Sequence, residues 1–140
     1  MPLRGFESLC SENAAQIVSR DKKNPQYHRG INIDKAYVTH YKIDGVVLKT
    51  GSRCDYLLIN EKKRTAYLIE LKGSDLVKAA EQLENTERAL QKELSDYELR
   101  YRIVANKCKT QEIQSSAYRK YQIRWKGRLR QGTGFMEENI

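Results

Sequence analysis

The chain has 140 residues and a formal net charge of +8, and this length suits one domain built around one core, over residues 1–140. A hydrophobic fraction of 39% beside 31% charged residues is that of a globular protein, and no apolar run approaches the roughly 20 residues of a membrane span. The N-terminus lacks the apolar stretch of a signal peptide. We therefore expect a cytoplasmic protein with no membrane partner.

The three cysteines are widely spaced and include no Cys-x-x-Cys pair (Cys10, Cys54 and Cys108). This pattern indicates neither a disulfide framework nor a zinc site. We expect all three to be buried thiols.

The positive charge is concentrated near the C-terminus. Residues 97–130 contain ten lysines and arginines but only two acids. Such a basic region points to a polyanionic partner, with nucleic acid first, although a solubilising surface would give the same composition.

Hydrophobic periodicity predicts eight elements in the order α, β, β, β, α, β, α, β. We expect helices and strands at about 6–19 (α), 36–49 (β, with a break at Asp44-Gly45), 54–59 (β), 66–72 (β), 75–95 (α), 97–105 (β), 111–120 (α) and 121–130 (β). Residues 20–34 are polar, contain Pro25 and Gly30, and are predicted to form a loop. Ser74 is the predicted N-cap of the long helix.

These elements predict an α/β fold with a mixed central sheet. The connection from the third strand through the long helix to the fourth is long enough for a parallel crossover. In the last strand, Trp125 and Tyr121 share the apolar face with Ile123, so we expect them in the core.

The second and third strands bring three charged residues together. A hairpin centred between Lys62 and Lys63 places Asp55 directly opposite Glu70, with Cβ atoms about 4.5–5.5 Å apart. Two carboxylates at that spacing repel unless a cation lies between them, which suits a hard divalent ion such as Mg²⁺. Lys72 shares the face of Glu70 and could reach a water or a phosphate oxygen. An ordinary salt-bridge cluster, with Lys72 neutralising Glu70, is the alternative, and a one-residue slip would turn Asp55 to the other face.

Asp55 followed by Glu70-Leu71-Lys72 in a hairpin, with a helix behind it, resembles the PD-(D/E)xK nuclease superfamily. Its members include type II restriction enzymes, Holliday-junction resolvases and RecB-type exonucleases. The element order also resembles that superfamily's αβββαβ core over about residues 6–106, which implies a restriction-endonuclease-like core with a C-terminal α/β extension. The motif is short, and Cys54 stands where the family often has proline.

The resemblance implies a Mg²⁺- or Mn²⁺-dependent hydrolase acting on phosphodiester bonds. Asp55 and Glu70, with the main-chain carbonyl of Leu71, would bind the metal. Lys72 would orient or help deprotonate the attacking water, whose pKa the metal would lower.

Two further site residues come from the same resemblance. Many members carry an acid on the first helix, for which Glu12 is preferred over Glu7, although either could be a solvated surface acid. RecB-type members carry a glutamine on the helix after the lysine, and Gln82 occupies a comparable place, unless it is only a polar flank of Leu83. Asp44 is a third conceivable acid, but an Asp-Gly turn explains it more simply.

The predicted last strand would present a basic face to nucleic acid through Arg124, Lys126, Arg128 and Arg130. The expected partner is DNA, or less readily RNA, without strong sequence specificity. A 140-residue monomer offers limited surface for enclosing duplex DNA, so a homodimer is compatible with this hypothesis but is not indicated by the sequence.

Two alternatives stay open, namely an inactive nucleic-acid-binding module of the same fold and a small inhibitor that binds an acidic protein. His28 and His40 have no partner at a useful spacing and receive no role.

Overall fold

A computed structural model of the protein describes residues 3–140, with Lys72 described by its backbone alone. The elements within these residues are β1 (Gln16–Arg20), β2 (Tyr27–Ile31), β3 (Val38–Lys42), β4 (Tyr56–Asn60), β5 (Thr65–Lys72), α1 (Leu76–Ala89), β6 (Glu98–Ala105), α2 (Thr110–Ile113), α3 (Ser116–Arg124), β7 (Leu129–Thr133) and β8 (Phe135–Asn139). The fold is therefore mixed α/β, as predicted. No helix of this described region is both long and apolar enough to cross a membrane.

The larger sheet has the strand order β3-β4-β5-β6-β7. Its first three strands pair antiparallel, whereas β6 lies parallel to β5 and β7 parallel to β6. The predicted parallel crossover from the third strand of this sheet through a helix is confirmed as β5-α1-β6. The crossover leaves the carboxyl ends of β5 and β6 side by side, with Lys72 opposite Ala105.

Helix α1 covers one face of this sheet with the apolar stripe that its sequence predicts (Leu76, Ala79, Ala80 and Leu83, all fully buried). Each leucine buried in this way stabilises the fold by about 1.5–3 kcal/mol. The helix begins one residue later than predicted, because the side chain of Asp75, not Ser74, accepts the N–H of Lys78. A carboxylate at that position also interacts favourably with the helix dipole.

The opposite face is covered by a second sheet with the order β1-β2-β8. Ile17 and Ile140 from this smaller sheet pack against Leu58, Ile69 and Val104 of the larger one. The predicted loop over 20–34 is wrong, because β2 lies within it, and β8 was not predicted. Gly30 reflects close packing and not a turn, since a Cβ there would lie only 2.8 Å from a methyl carbon of Leu58.

A buried charged group also joins the two sheets. The Glu138 carboxylate of β8 accepts two hydrogen bonds from the guanidinium of Arg102 on β6, at 2.7 and 3.0 Å. It lies 2.7 Å from Nε2 of His28 on β2. These contacts hold the pKa of Glu138 at about 2, against the opposing effect of its burial.

The predicted helix at 6–19 is wrong. Residues 6–15 form an irregular segment with bends and one turn, and β1 follows with alternate residues buried. The segment bonds to its neighbours instead of to itself, because Asn32 donates to the carbonyl of Ala14 and the N–H of Val38 donates to the carbonyl of Glu12. Pairing with distant strands thus overrides the local helix preference of the alanines.

The predicted strand at 121–130 is also wrong. The chain remains helical to Arg124, and β7 begins only at Leu129. Tyr118, Tyr121 and Trp125 are buried at helical spacing, whereas Ile123 is 65% exposed. The expectation that Trp125 and Tyr121 lie in the core is confirmed, although their period is that of a helix.

The cysteines differ from one another. Cys54 is fully buried, as expected, whereas Cys10 and Cys108 are partly exposed, and all three are free thiols.

Candidate functional site

The β4–β5 hairpin has the predicted register, with Tyr56 opposite Ile69 and Leu57 opposite Leu68. The ladder ends there, one residue after Asp55, whose N–H donates to the carbonyl of Ile69 over 3.0 Å. The register places Asp55 and Glu70 at the same level of the two adjacent strands. The predicted register of the hairpin is therefore confirmed.

The Asp55 carboxylate is held by two groups. One oxygen, Oδ2, accepts the main-chain N–H of Leu71 at 2.9 Å. The other, Oδ1, lies 3.6 Å from Nζ of Lys42, whose side chain also lies over the ring of Tyr56. Asp55 is therefore tied to the backbone directly after Glu70, at the carboxyl end of β5.

The pKa of Asp55 is raised above its ordinary value, chiefly by burial. The Leu71 hydrogen bond and the charge of Lys42 lower it, and the negative charges of Asp21 and Asp44 raise it again. A carboxylate whose charged form is disfavoured in this way would gain from more positive charge nearby.

Glu70 is buried in β5 with 2% of its surface exposed. Strand alternation places it on the face of Leu68, which packs in the core under α1. The buried Cys54 thiol lies near both carboxylates. Burial raises its pKa, and the charges of Glu70 and Asp55 raise it further. A charged group at the position of Glu70 is costly in an apolar core unless a counter-charge compensates for it.

Lys72 is the last residue of β5. Its backbone therefore lies two residues beyond Glu70, as predicted. The prediction about its side chain concerns atoms outside the described part of the structure.

Gln82 lies on α1 and faces the chain that enters β4. Its Nε2 donates to the carbonyl of Arg53 at 3.2 Å, two residues before Asp55. Its Oε1 is buried and accepts no hydrogen bond among the described residues. The amide therefore lies on the α1 side of the same chain segment, and one buried oxygen remains available as a ligand or hydrogen-bond acceptor.

The structure does not bring the predicted helical acids to this site. Glu7 is exposed in an irregular segment and Glu12 in a turn, because the helix expected to carry them is absent. The carbonyl of Glu12 pairs with Val38 at the start of β3, whereas Lys42, beside Asp55, ends that strand.

The four predicted nucleic-acid-binding cations do not share a strand face. Arg124 ends α3 and pairs with Glu84, while Lys126 is exposed in the following turn. Arg128 is half-buried with its guanidinium carbon 5.9 Å from the ring centroid of Tyr101, and Arg130 is exposed on β7. The predicted regular spacing is wrong because it assumed a strand where helix, turn and strand follow one another.

The donor set of Asp55, Glu70 and the Leu71 carbonyl consists of oxygen atoms, which are the ligands that Mg²⁺ and Mn²⁺ prefer. Among the residues whose side chains are described, no group of three or more His, Cys, Asp or Glu side chains is arranged to hold a metal. A site of this kind would accordingly depend on two carboxylates, a main-chain carbonyl and water, a composition typical of Mg²⁺.

Comparison with models of protein families, with curated proteins and with solved structures found no match to this chain. The interpretation of the site depends on its own residues and contacts.

Sequence reasoning missed Lys42 and Asp21. Asp44 lies in the predicted Asp-Gly turn, where Gly45 has a positive φ of 81°. Lys42 could have been found from the pairing of β3 with β4, which places it opposite Tyr56. Asp21 follows β1, a strand that the sequence pattern did not predict, so no local signal indicated it.

Proposed function

We propose that this protein is a metal-dependent nuclease of the PD-(D/E)xK type that hydrolyses phosphodiester bonds of DNA, or less readily of RNA. One observation carries the proposal. The Asp55 carboxylate accepts the N–H of Leu71 at 2.9 Å and so stands beside the Glu70-Leu71-Lys72 segment. The motif residues are distant in sequence but adjacent in space, at the carboxyl end of β5.

In this proposal Asp55, Glu70 and the Leu71 carbonyl hold one Mg²⁺ or Mn²⁺. When bound, the ion would lower the pKa of a water and offset negative charge on the scissile phosphate. Lys72 would orient that water or help to deprotonate it, and Gln82 would contribute its buried amide oxygen. Lys42 supplies a positive charge beside Asp55.

The order of elements supports the same proposal. Strands β3, β4 and β5, helix α1 and strand β6 follow one another as β, β, β, α, β, which is the superfamily's core order without its first helix. Membership of the superfamily and a restriction-endonuclease-like core are therefore parts of the proposal. The smaller sheet lies outside that pattern.

A cleavage assay tests the activity. Plasmid, linear duplex and single-stranded DNA, and RNA, are incubated with Mg²⁺, Mn²⁺ or EDTA. Cleavage is expected only when Mg²⁺ or Mn²⁺ is present. Lys72→Ala is expected to lower the cleavage rate at least a hundredfold, in the range of general-base contributions. Lys62→Ala, in the exposed hairpin loop, is the matched control and should leave the rate unchanged.

Metal binding tests the ligands separately. Asp55→Asn keeps an oxygen that can accept the Leu71 N–H but removes the charge, so calorimetry should show at least tenfold weaker Mn²⁺ binding. Asp96→Asn changes an exposed acid and should have no effect. Unchanged Mn²⁺ affinity of Asp55→Asn would remove Asp55 from the proposed site.

The same assays discriminate the alternatives. Salt-dependent affinity for nucleic acid without cleavage under any metal condition would identify an inactive binding module. No affinity for DNA or RNA at low salt would favour a protein partner.

A further inference from the structure

The outward face of the smaller sheet carries a row of one cation and two aromatic rings. Arg20 on β1 is opposite Tyr27 on β2, and Tyr27 is opposite Phe135 on β8. We refer to these three residues as the aromatic row. Arg29, two positions along β2, lies on the same face as Tyr27.

The rings of the row are stacked on one another, and that of Phe135 is open to solvent. The Tyr27 and Phe135 rings have centroids 5.6 Å apart with an angle of 21° between their planes, and Phe135 is 55% exposed. The guanidinium carbons of Arg20 and Arg29 lie 4.8 and 5.2 Å from the Tyr27 centroid. An exposed aromatic ring next to a guanidinium group offers both base stacking and a phosphate contact.

The row lies at the same end of the two sheets as Asp55 and the last residues of β5, although Glu70 faces α1 and the smaller sheet covers the opposite face of the larger one. The Tyr56 hydroxyl donates to the carbonyl of Arg20 at 2.7 Å, and Tyr56 directly follows Asp55. At the other end of the row, the N–H of Gly134, which precedes Phe135, donates to the carbonyl of Ala105, the residue opposite Lys72.

We propose that the aromatic row binds single-stranded nucleic acid and leads the strand to Asp55 and Glu70. Bases stack on the exposed ring of Phe135, while Arg20 contacts a phosphate. Arg29 is paired with Glu137 on the same face and lies over the Tyr27 ring, so it supports the row instead of contacting a phosphate. This inference rests on the proposed nuclease function, since it assigns where that site receives its substrate.

Charge and geometry favour a single strand over other partners. The net charge of +8 favours a polyanion, and the adjacent turn adds exposed Lys22 and Lys23. In a duplex the base faces are already stacked on one another, so the exposed ring of Phe135 could not reach them. An acidic protein would bind the arginines but would gain little from stacking.

Binding is measured in EDTA, where cleavage cannot occur, by fluorescence anisotropy with a labelled oligothymidylate, an oligouridylate and a duplex of matched length. Phe135→Leu keeps an apolar side chain but removes the ring, and should weaken binding of both single strands about tenfold. Phe135→Tyr keeps an aromatic ring and should bind with the affinity of the wild type. Ile123→Leu, at an apolar residue of α3 that is 65% exposed, should leave the affinity unchanged.

The salt dependence of binding tests whether Arg20 contacts a phosphate. Arg20→Ala should weaken binding and reduce the slope of log affinity against log salt by about 0.7, the value for one phosphate contact on a single strand. Arg119→Ala, on the exposed side of α3, should change neither quantity. Phe135→Leu should keep the slope of the wild type.

Failure of this inference differs from failure of the nuclease proposal. Equal affinity of Phe135→Leu and wild type, tighter binding of the duplex than of the single strands, or no binding in EDTA would each overturn the aromatic row as the docking surface. Metal-dependent cleavage lost in Lys72→Ala would still establish the nuclease in those cases. Conversely, affinity that depends on Phe135 and persists in Asp55→Asn supports the row whether or not cleavage occurs.

Discussion

His40 offers a quantitative test of how the two sheets are joined. The imidazole lies between them, with Nε2 2.9 Å from the Ser19 hydroxyl and its ring stacked on Tyr56 at 5.1 Å. Burial lowers the pKa of His40 from 6.5 to about 4, and the charge of His28 contributes to the same effect. The folded protein thus holds His40 neutral.

The sign and size of the pH effect follow from linkage. A histidine whose pKa is lower in the folded state favours unfolding when it becomes protonated, so its contribution is fully present above pH 6.5 and declines as the pH falls towards 4. Between pH 7.5 and pH 5 the free energy of unfolding should fall by about 2 kcal/mol from this group, and by about 3 kcal/mol in all below pH 4.

Urea denaturation of wild type and His40→Gln at pH 7.5 and pH 5 isolates this contribution. Glutamine can keep a hydrogen bond to Ser19 but does not titrate, and the other titrating groups are common to both proteins. The wild type should lose about 2 kcal/mol more than the variant between the two pH values. Equal losses, or an NMR titration that places the His40 pKa near 6.5, would refute the assignment of a buried neutral imidazole.

Three further predictions concern the sheet interface and the metal. Glu138→Gln should lower the free energy of unfolding by about 3–5 kcal/mol in urea, because it leaves a buried guanidinium without its carboxylate, whereas Glu137→Gln on the outer face should cost less than about 1 kcal/mol. Gly30→Ala should destabilise by about 1–3 kcal/mol, since its Cβ would lie 2.8 Å from a leucine methyl carbon, while Gly73→Ala meets nothing within 4 Å and serves as its control. Mn²⁺ at ten times its dissociation constant should stabilise the wild type by about 1.4 kcal/mol in thermal unfolding, and a similar rise in Asp55→Asn would contradict the proposed ligand set.

The sequence was sufficient to predict the hairpin and the crossover, because local patterns determine both. The β4–β5 register follows from a short turn and two apolar runs, and these alone place Asp55 beside Glu70. Helix α1 carries a regular apolar stripe, which predicts its buried face and its start to within one residue, although the helix ends at Ala89 and not at about residue 95.

The smaller sheet could not be predicted in the same way, because its strands are specified by distant partners. β2 reads Tyr-His-Arg-Gly-Ile, and its two buried residues are a histidine and a glycine. Neither a histidine nor a glycine indicates a buried strand. His28 is nevertheless hydrogen-bonded to Glu138, near the other end of the chain, and Gly30 allows the backbone to approach Leu58 closely. The same dependence on tertiary pairing explains why an irregular segment and β1 replace the helix expected at 6–19.

The strand that replaces this helix also changes the electrostatics of the candidate site. The family pattern predicts an acid carried there by a helix, with Glu12 as the preferred residue. In the structure the N-terminal residue whose charge reaches Asp55 is Asp21, which follows β1, and it acts together with Asp44 to raise the pKa of Asp55. The end of strand β1 therefore brings an acid towards Asp55 and also carries Arg20 of the aromatic row, whose carbonyl accepts the hydroxyl of Tyr56. A substrate strand and a metal would share that corner, so the smaller sheet links substrate docking with the electrostatics of the proposed metal site.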